Sequence, residues 1–391
     1  MVLISLDTEG ASAGGKVVSF PRAPRQAGPN WPHMDTLVKE QSLVNGFLEI
    51  RHVDSAALKG NFLDDPSRRP IGIYLPAQYR EAPERRFPVI YLLHGAMTDL
   101  GSWLKRSIGR KSLLETMDAV MGGTGDAIIV MVDAWTSVGG SQYVNSDAIG
   151  RYQDYFVDDV VVWVDRNFRT QEAAACRAVL GHSSGGFGAW MACTRRPGVF
   201  GVLGMLAADC LFEGAYLKTL GPAVRRLRAQ YGGSMHTFWS AEGTGQRSNQ
   251  AARDSVILAD ENGELWDPAD APVYDQHMLA AAFAGSDPMG PRYLFDQDSG
   301  QLDSAVWAAW ISLDPARTAT EYVAELSELR HISIAAGDQD EFFADNGAAT
   351  LSAKLAEVGV MAFHLTGDDA HAPGDLFTRQ FQLAVEALTQ R

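Results

Sequence analysis

The chain has 391 residues, of which 46% are hydrophobic and 21% charged, a composition typical of a globular protein that buries a large core. Its net charge of −15 argues against nucleic acid or an anionic membrane surface as the main partner, because either would require a basic surface. The three cysteines have no metal-ligand spacing, and their odd number argues against a complete disulfide framework. Reduced thiols favour a cytoplasmic location.

Residues 1–45 are predicted to form an N-terminal arm, because the sequence up to about Trp31 is rich in glycine, alanine, proline and arginine. Residues 1–13 lack the basic start and long apolar stretch of a signal peptide. No run in the chain approaches the roughly 18 apolar residues of a membrane span. We therefore expect a soluble protein without a membrane partner.

Strands and helices are predicted to alternate over residues 46–211, the first part of the core. The continuous apolar run at 88–93 is typical of a central parallel strand that is covered on both faces. The alternation predicts a mostly parallel, doubly wound α/β sheet with helices on both faces. The predicted strands of the whole chain are 48–53, 71–75, 88–93, 127–132, 178–180, 202–206, 332–336 and 360–365, and the main predicted helices are 113–121, 154–168, 186–193, 223–231 and 376–388.

The alternation stops over residues 212–329, where the sequence contains no evident core strand. This stretch contains a basic helix candidate, four tryptophans and several turns with glycine or proline. We interpret it as an insertion that forms a lid or cap. The sheet is predicted to resume over residues 330–391, the second part of the core, which ends in an amphipathic helix.

Residues 177–190 have the pattern of a nucleophile elbow. A short apolar strand at 178–180 leads into residues 181–185, GHSSG, which fit G-x-S-x-G, and a helix-like segment follows. A serine at a strained turn needs neighbours without a Cβ atom, so that strand and helix can approach closely. Ser183 is therefore the candidate nucleophile.

A serine nucleophile requires a base, and the base requires an orienting carboxylate. His371 is the candidate base, because it follows a predicted strand downstream of the serine, in the order serine, acid, histidine. Three carboxylates compete for the role of acid in the loop after the preceding strand: Asp338, Asp340 and Glu341. The G-x-x-D spacing favours Asp340, and Asp338 is the second choice.

The tetrahedral intermediate of acyl transfer needs backbone donors aimed at its oxyanion. One predicted donor is the N–H of Ser184, the residue after the nucleophile. The other is expected in the loop after strand 88–93, at Ala96 or at Met97. His94 and His182 are predicted to have structural roles, His94 in this loop and His182 beneath the elbow.

Two aromatic residues, Trp103 and Tyr143, are predicted to line the substrate pocket. Both follow strands at the carboxyl edge of the sheet, where open α/β sheets bind their ligands.

Several motifs together resemble the esterase D type of the α/β-hydrolase superfamily. This family includes S-formylglutathione hydrolases, feruloyl and acetyl-xylan esterases, enterochelin-type esterases and mycolyltransferases. The resemblance implies an α/β-hydrolase fold with Ser183 as nucleophile, Asp340 as acid, His371 as base, and the amides of Ala96 and Ser184 as oxyanion hole. The motifs are PVIYLLHG at 88–95, Trp103, YVNS at 143–146, YQDY at 152–155 and GHSSGG at 181–186.

The leading hypothesis is a serine hydrolase that cleaves a small-molecule carboxylic ester or thioester through an acyl-enzyme, with no cofactor and no metal. One alternative is an acyltransferase that uses the same three residues with an alcohol as acceptor. A second alternative is a non-catalytic protein of the hydrolase fold that binds a ligand or partner through its aromatic insertion. The sequence does not name the substrate, and it leaves a homo-oligomer open.

Overall fold

The computed structural model describes residues 44–105, 111–240, 268–285 and 292–389. Residues 1–43, nearly all of the predicted N-terminal arm, lie outside this described part. Within it, the buried apolar side chains form one continuous hydrophobic cluster that includes residues from both sides of position 212. All three cysteines are free, and two of them are buried.

The centre of the described part of the protein is a mixed β-sheet. The strands of the described residues are β1 (Phe47–Asp54), β2 (Arg68–Leu75), β3 (Val89–Leu93), β4 (Ile128–Val132), β5 (Asn145–Ser146), β6 (Gly150–Arg151), β7 (Arg177–His182), β8 (Val202–Leu206), β9 (His331–Ala335) and β10 (Phe363–Leu365). Their order in the main sheet is β1-β2-β4-β3-β7-β8-β9-β10, and β5 and β6 form a separate two-stranded ribbon. β1 and β2 are antiparallel to their neighbours. The other six strands of the main sheet run parallel to one another: β4, β3, β7, β8, β9 and β10. Every residue of β3, β4 and β8 is buried, as their continuous apolar sequences predict.

Helices connect the parallel strands. A π-helical segment, Tyr155–Val160, joins α3 (Tyr152–Asp154) to α4 (Val161–Asn167) within the predicted helix 154–168. A capping box starts α2 (Leu113–Thr124), because the hydroxyl of Ser112 accepts the N–H of Glu115 and the carboxylate of Glu115 accepts the N–H of Ser112. The helices are α1 (Gln78–Glu81), α2 (Leu113–Thr124), α3 (Tyr152–Asp154), α4 (Val161–Asn167), α5 (Ser184–Arg195), α6 (Phe212–Gln230), α7 (Met235–Ser240), α8 (Ala271–Ala282), α9 (Ser304–Ile311), α10 (Pro315–Thr318), α11 (Val323–Ser327), α12 (Ala344–Glu357) and α13 (Asp375–Thr389).

The described residues of the predicted insertion, 212–329, are mainly helical. Their helices pack directly on α5, the helix that follows the candidate nucleophile. The ring of Phe187 on α5 lies 5.8 Å from the rings of both Phe212 and Phe283, and these two rings stack on each other at 5.7 Å. The described helices of this segment therefore share the hydrophobic core of the sheet.

The last strand differs from the prediction. β10 covers three residues instead of the predicted six at 360–365, and it is the edge strand of the sheet, with a neighbour on one side only. Phe363 and His364 are exposed there.

The parallel strands place their carboxyl ends at one edge of the sheet. The loops after β3, β7, β8, β9 and β10 meet there, and they contain the candidate oxyanion loop, nucleophile, acid and base. This is the edge at which open α/β sheets bind ligands.

Candidate active site

Ser183 lies at the sharp turn between β7 and α5. Its backbone angles are φ +56° and ψ −124°, a combination that non-glycine residues adopt only when the surrounding structure enforces it. The turn is held by the N–H of Ser183, which donates to the carbonyl of Leu206 on the adjacent strand at 2.9 Å. The strained backbone is the geometry expected of a nucleophile elbow.

The glycines of the elbow are required by close packing of backbone against backbone. A Cβ atom at Gly181 would lie 1.9 Å from the carbonyl oxygen of Gly185. A Cβ atom at Gly185 would lie 2.1 Å from the carbonyl oxygen of Leu93, at the end of β3. Any larger residue at either position would clash with backbone that cannot move aside.

The structure pairs Asp340 with His371. Oδ2 of Asp340 lies 2.9 Å from Nδ1 of His371, and the carboxylate is fully buried. Its other oxygen accepts the N–H of Phe342 at 2.8 Å. Burial acts to raise the pKa of Asp340, but the hydrogen bond and charge of His371, with the neighbouring amides, outweigh it and hold the pKa below its usual value. Asp340 is therefore ionised and accepts the proton on Nδ1, which leaves Nε2 of His371 free to act as a base.

The two other candidate acids have different positions. The carboxylate of Asp338 is exposed and accepts a hydrogen bond from the side chain of its neighbour Gln339 at 3.0 Å. Glu341 accepts the backbone N–H of His371 at 3.1 Å, so it holds the loop of the base without contacting the ring nitrogens. Of the three carboxylates that the sequence left open, the structure brings Asp340 to the imidazole.

His182 connects the elbow to the loop of the base. Its Nε2 donates to the backbone carbonyl of His371 at 2.8 Å, and the two imidazole rings lie 4.9 Å apart. Burial first, and then the charge of His371, lower the pKa of His182 to about 3, so its ring is neutral at physiological pH. A structural role for His182 was predicted from the sequence, but this link to His371 was not.

The loop after β3 is where the second backbone donor is predicted. Nε2 of His94 accepts the N–H of Ala134 at 3.0 Å, so the ring proton lies on Nδ1, which donates to the carbonyl of Gly95 at 2.8 Å. The N–H of Met97 already donates to Gly139 at 2.6 Å. Of the two alternatives for this donor, Ala96 therefore stays the candidate, because the amide of Met97 is already engaged.

A cavity of about 250 Å³ lies at the meeting point of these loops. Ser183, His371 and Ala96 are all on its wall, and Met97, Met278 and Leu279 provide apolar surface. The last two come from α8, so the segment 212–329 contributes directly to the cavity.

Neither of the two predicted aromatic pocket residues lines this cavity. Trp103 is 2% exposed and packs against Phe377 with ring centroids 5.5 Å apart. Tyr143 is also 2% exposed, and its hydroxyl donates to the carbonyl of His94 at 3.1 Å. The backbone has positive φ at both Gln142 and Tyr143, and this turn buries Tyr143 under the loop while Gln142 reaches the cavity.

Among the polar residues that were not predicted from the sequence, Gln142, Asp209, Tyr216 and Asp275 also line the cavity. Asp209 follows β8, and its N–H reaches the carbonyl of Ser183 at 3.4 Å. Asp209 could have been identified from the sequence, because it closely follows a buried strand whose carboxyl end lies at this edge of the sheet. Asp275 lies on α8 within the predicted insertion, where no pattern distinguished it.

Two kinds of feature are absent from the described residues. Residues 44–105, 111–240, 268–285 and 292–389 contain no cluster of three or more histidine, cysteine, aspartate or glutamate residues arranged to hold a metal ion. Over the same ranges, no helix combines the length and the apolar character needed to cross a membrane.

Comparisons with known proteins relate the chain to esterases. A sequence model of the family described as "Putative esterase" matches residues 66–382. An endo-1,4-beta-xylanase/feruloyl esterase of Xylanibacter ruminicola is 28% identical over 138 residues, which cover 34% of this chain and 19% of that protein. Esterase Rv1288 of Mycobacterium tuberculosis is 32% identical over 123 residues, which cover 30% of this chain and 24% of that protein. The chain thus spans about a fifth to a quarter of the length of these curated relatives.

The fold is also found among solved structures. A ferulic acid esterase superposes with a TM-score of 0.52 at 15% identity, and the alignment covers 89% of this chain and 99% of that one. This likeness confirms the predicted α/β-hydrolase fold. Because the family match extends over most of the chain, from before β2 into the last helix, the protein belongs to the esterase family of that description, as its motifs indicated.

Proposed function

We propose that the protein hydrolyses carboxylic esters or thioesters through an acyl-enzyme formed on Ser183. The observation that carries the proposal is the position of Ser183 and of the Asp340–His371 pair on one cavity, with Ser183 held in the strained backbone of an elbow. Membership of an esterase family supports the same reaction class.

In the first half of the proposed reaction, Nε2 of His371 removes the proton of the Ser183 hydroxyl while Oγ attacks the ester carbonyl. The ionised Asp340 stabilises the imidazolium that forms. The N–H groups of Ala96 and Ser184 donate to the oxyanion of the tetrahedral intermediate. Contact between the serine hydroxyl and the base commonly tightens only when substrate is bound.

Collapse of the intermediate breaks the bond between the carbonyl carbon and the leaving oxygen or sulfur, which takes the proton from His371. A water molecule then gives its proton to His371 and attacks the acyl-enzyme. The second intermediate breaks the bond between the carbonyl carbon and Oγ of Ser183, which takes the proton back from His371, and the free acid is released. An alcohol in place of this water would give the acyltransferase reaction, so analysis of products formed with added alcohols separates these two outcomes.

The test is covalent labelling with a fluorophosphonate, followed by peptide mapping and an assay with p-nitrophenyl acetate. We expect a single adduct on Ser183, and neither adduct nor hydrolysis in Ser183→Ala. Ser304→Ala, an exposed serine at the start of α9, is the matched control and should behave like the wild type. Retained hydrolysis by Ser183→Ala would remove Ser183 from the mechanism.

A further inference from the structure

One wall of the catalytic cavity carries acceptors that the proposed ester hydrolysis does not use. They are the carboxylates of Asp209 and Asp275 and the side-chain amide of Gln142. They come from three separate elements: the loop after β8, helix α8, and the loop between β4 and β5. The same cavity contains Ser183 and His371, so a molecule that reaches the nucleophile also meets this wall.

The hydrogen bonds of the wall leave one buried acceptor unsatisfied. Oδ2 of Asp209 accepts the hydroxyl of Tyr216 at 3.0 Å and Nε2 of Gln142 at 3.2 Å. The second bond fixes the orientation of the Gln142 amide, because only its nitrogen can donate. Gln142 is 1% exposed, and within the described part of the chain its Oε1 has no hydrogen-bond partner. A buried acceptor without a donor is unfavourable until a ligand supplies one.

The two carboxylates also lack an ion-pair partner among the described residues. Burial raises the pKa of Asp275 to about 7, with a further contribution from the charge of Asp209, and burial raises the pKa of Asp209. The charge of His371 and, less strongly, that of Lys218 act to lower the pKa of Asp209, while a hydrogen bond from Thr219 and the charge of Lys218 act to lower that of Asp275. The ammonium of Lys218 itself lies 4.3 Å from the ring centre of Phe342 and donates to the carbonyl of Glu341 at 3.5 Å. Among the described residues, neither Asp209 nor Asp275 forms an ion pair.

We propose that this wall binds the protonated primary amine of the substrate, so that the protein prefers esters with an alkylammonium group. The inference rests on the proposed esterase function, since it names a substrate class for the same cavity. A primary ammonium has three N–H donors, and the wall offers three acceptors from three elements. Its positive charge offsets the repulsion between the two carboxylates, which a neutral alkyl chain would leave in place. The methionine and leucine side chains of the cavity provide an apolar surface for the alkyl part of such an ester.

The test compares esters that differ only by the exchange of a terminal ammonium for a methyl group. One pair places the charge in the acyl part, p-nitrophenyl 6-aminohexanoate against p-nitrophenyl heptanoate. The other pair places it in the alcohol, 6-aminohexyl acetate against heptyl acetate. After subtraction of spontaneous hydrolysis, we expect the wild type to prefer the ammonium ester by about tenfold in kcat/KM in at least one pair.

Variants then assign the preference to the wall. Asp275→Asn and Asp209→Asn should each reduce the ratio of the two kcat/KM values to about one. Asp298→Asn is the matched control, because it removes the same charge from an exposed position outside the cavity, and it should keep the wild-type ratio. A ratio that survives both cavity substitutions would overturn the inference.

The wild-type comparison decides the matter even where a variant fails to fold. Equal or greater activity towards the neutral ester in both pairs would overturn the inference while leaving the proposed esterase function intact. Absence of hydrolysis of all four esters, together with no fluorophosphonate adduct on Ser183, would instead overturn the proposed function on which the inference rests.

Discussion

The imidazole of His182 donates from Nε2 to the backbone carbonyl of His371 at 2.8 Å, and this bond connects the residue before the candidate nucleophile to the candidate base. Because burial lowers the pKa of His182 to about 3, the ring stays neutral and keeps this donor throughout the pH range of an assay. The bond therefore positions the loop of the base relative to the elbow without adding a positive charge beside it.

Replacement of His182 by phenylalanine should lower kcat/KM about fivefold, because loss of one hydrogen bond of about 1 kcal/mol releases the loop that positions His371. His182→Gln retains an N–H donor and should recover most of the activity. Steady-state kinetics of both variants check this, with thermal melting to verify folding. Equal losses in the two variants would show that the ring fills space and that its hydrogen bond has no role in positioning.

Asp340→Asn should reduce kcat by about 10³–10⁴, because an amide no longer stabilises the imidazolium or fixes the ring tautomer. Asp338→Asn, two residues away on an exposed side chain, should stay within about twofold of the wild type. The comparison is made with the same p-nitrophenyl ester and with folding monitored by circular dichroism. A large loss in Asp338→Asn with activity retained in Asp340→Asn would reverse the assignment of the acid.

Gly185→Ala should destabilise the protein by about 3 kcal/mol, because the new methyl group would meet the carbonyl of Leu93 at 2.1 Å. Gly214→Ala, in helix α6, is the matched control. No atom lies within 4 Å of a Cβ atom at Gly214, so alanine there should stabilise the helix by up to about 1 kcal/mol. Urea denaturation of the two variants measures both effects. Similar stability of the two would contradict the tight packing of β3 against the elbow.

The sequence predicted the elements whose signal is local. Each of the eight strands of the main sheet was predicted, although β10 is only half as long as its prediction and β2 starts earlier than predicted. The signal was clearest for β3, β4 and β8, because buried parallel strands have continuous apolar sequences. Ser183 was identified because the signal of an elbow is also local: its strand, turn and helix are consecutive in the chain. The choice among Asp338, Asp340 and Glu341 needed the structure, because all three belong to one short loop and only the fold decides which side chain meets His371.

The lining of the cavity was the part that the sequence predicted least well. The direction of Tyr143 depends on two consecutive residues with positive φ, which no hydrophobic pattern encodes. Gln142 therefore occupies the position that the prediction gave to its neighbour. Asp275 was also missed, because its helix lies in a segment without strand periodicity and approaches the cavity only through the packing of α8.

Asp275 should make stability depend on pH, because its pKa in the folded protein, about 7, lies far above the ordinary value of 3.8. Between these two values the folded state holds a proton that the unfolded chain has lost, so the free energy of unfolding falls as pH rises. Above about pH 7 the carboxylate of Asp275 is ionised in both states, and the folded state then bears the full free-energy cost of burying its charge.

Asp275→Asn, which is neutral at every pH, should therefore raise the melting temperature more at pH 8 than at pH 5. The pH dependence of the wild-type melting temperature over this interval should flatten in the variant. Asp298→Asn, an exposed carboxylate, serves as control and should leave the pH dependence unchanged. A gain in melting temperature that is equal at both pH values would contradict the raised pKa, because an acid that is ionised at pH 5 destabilises the folded state equally at both.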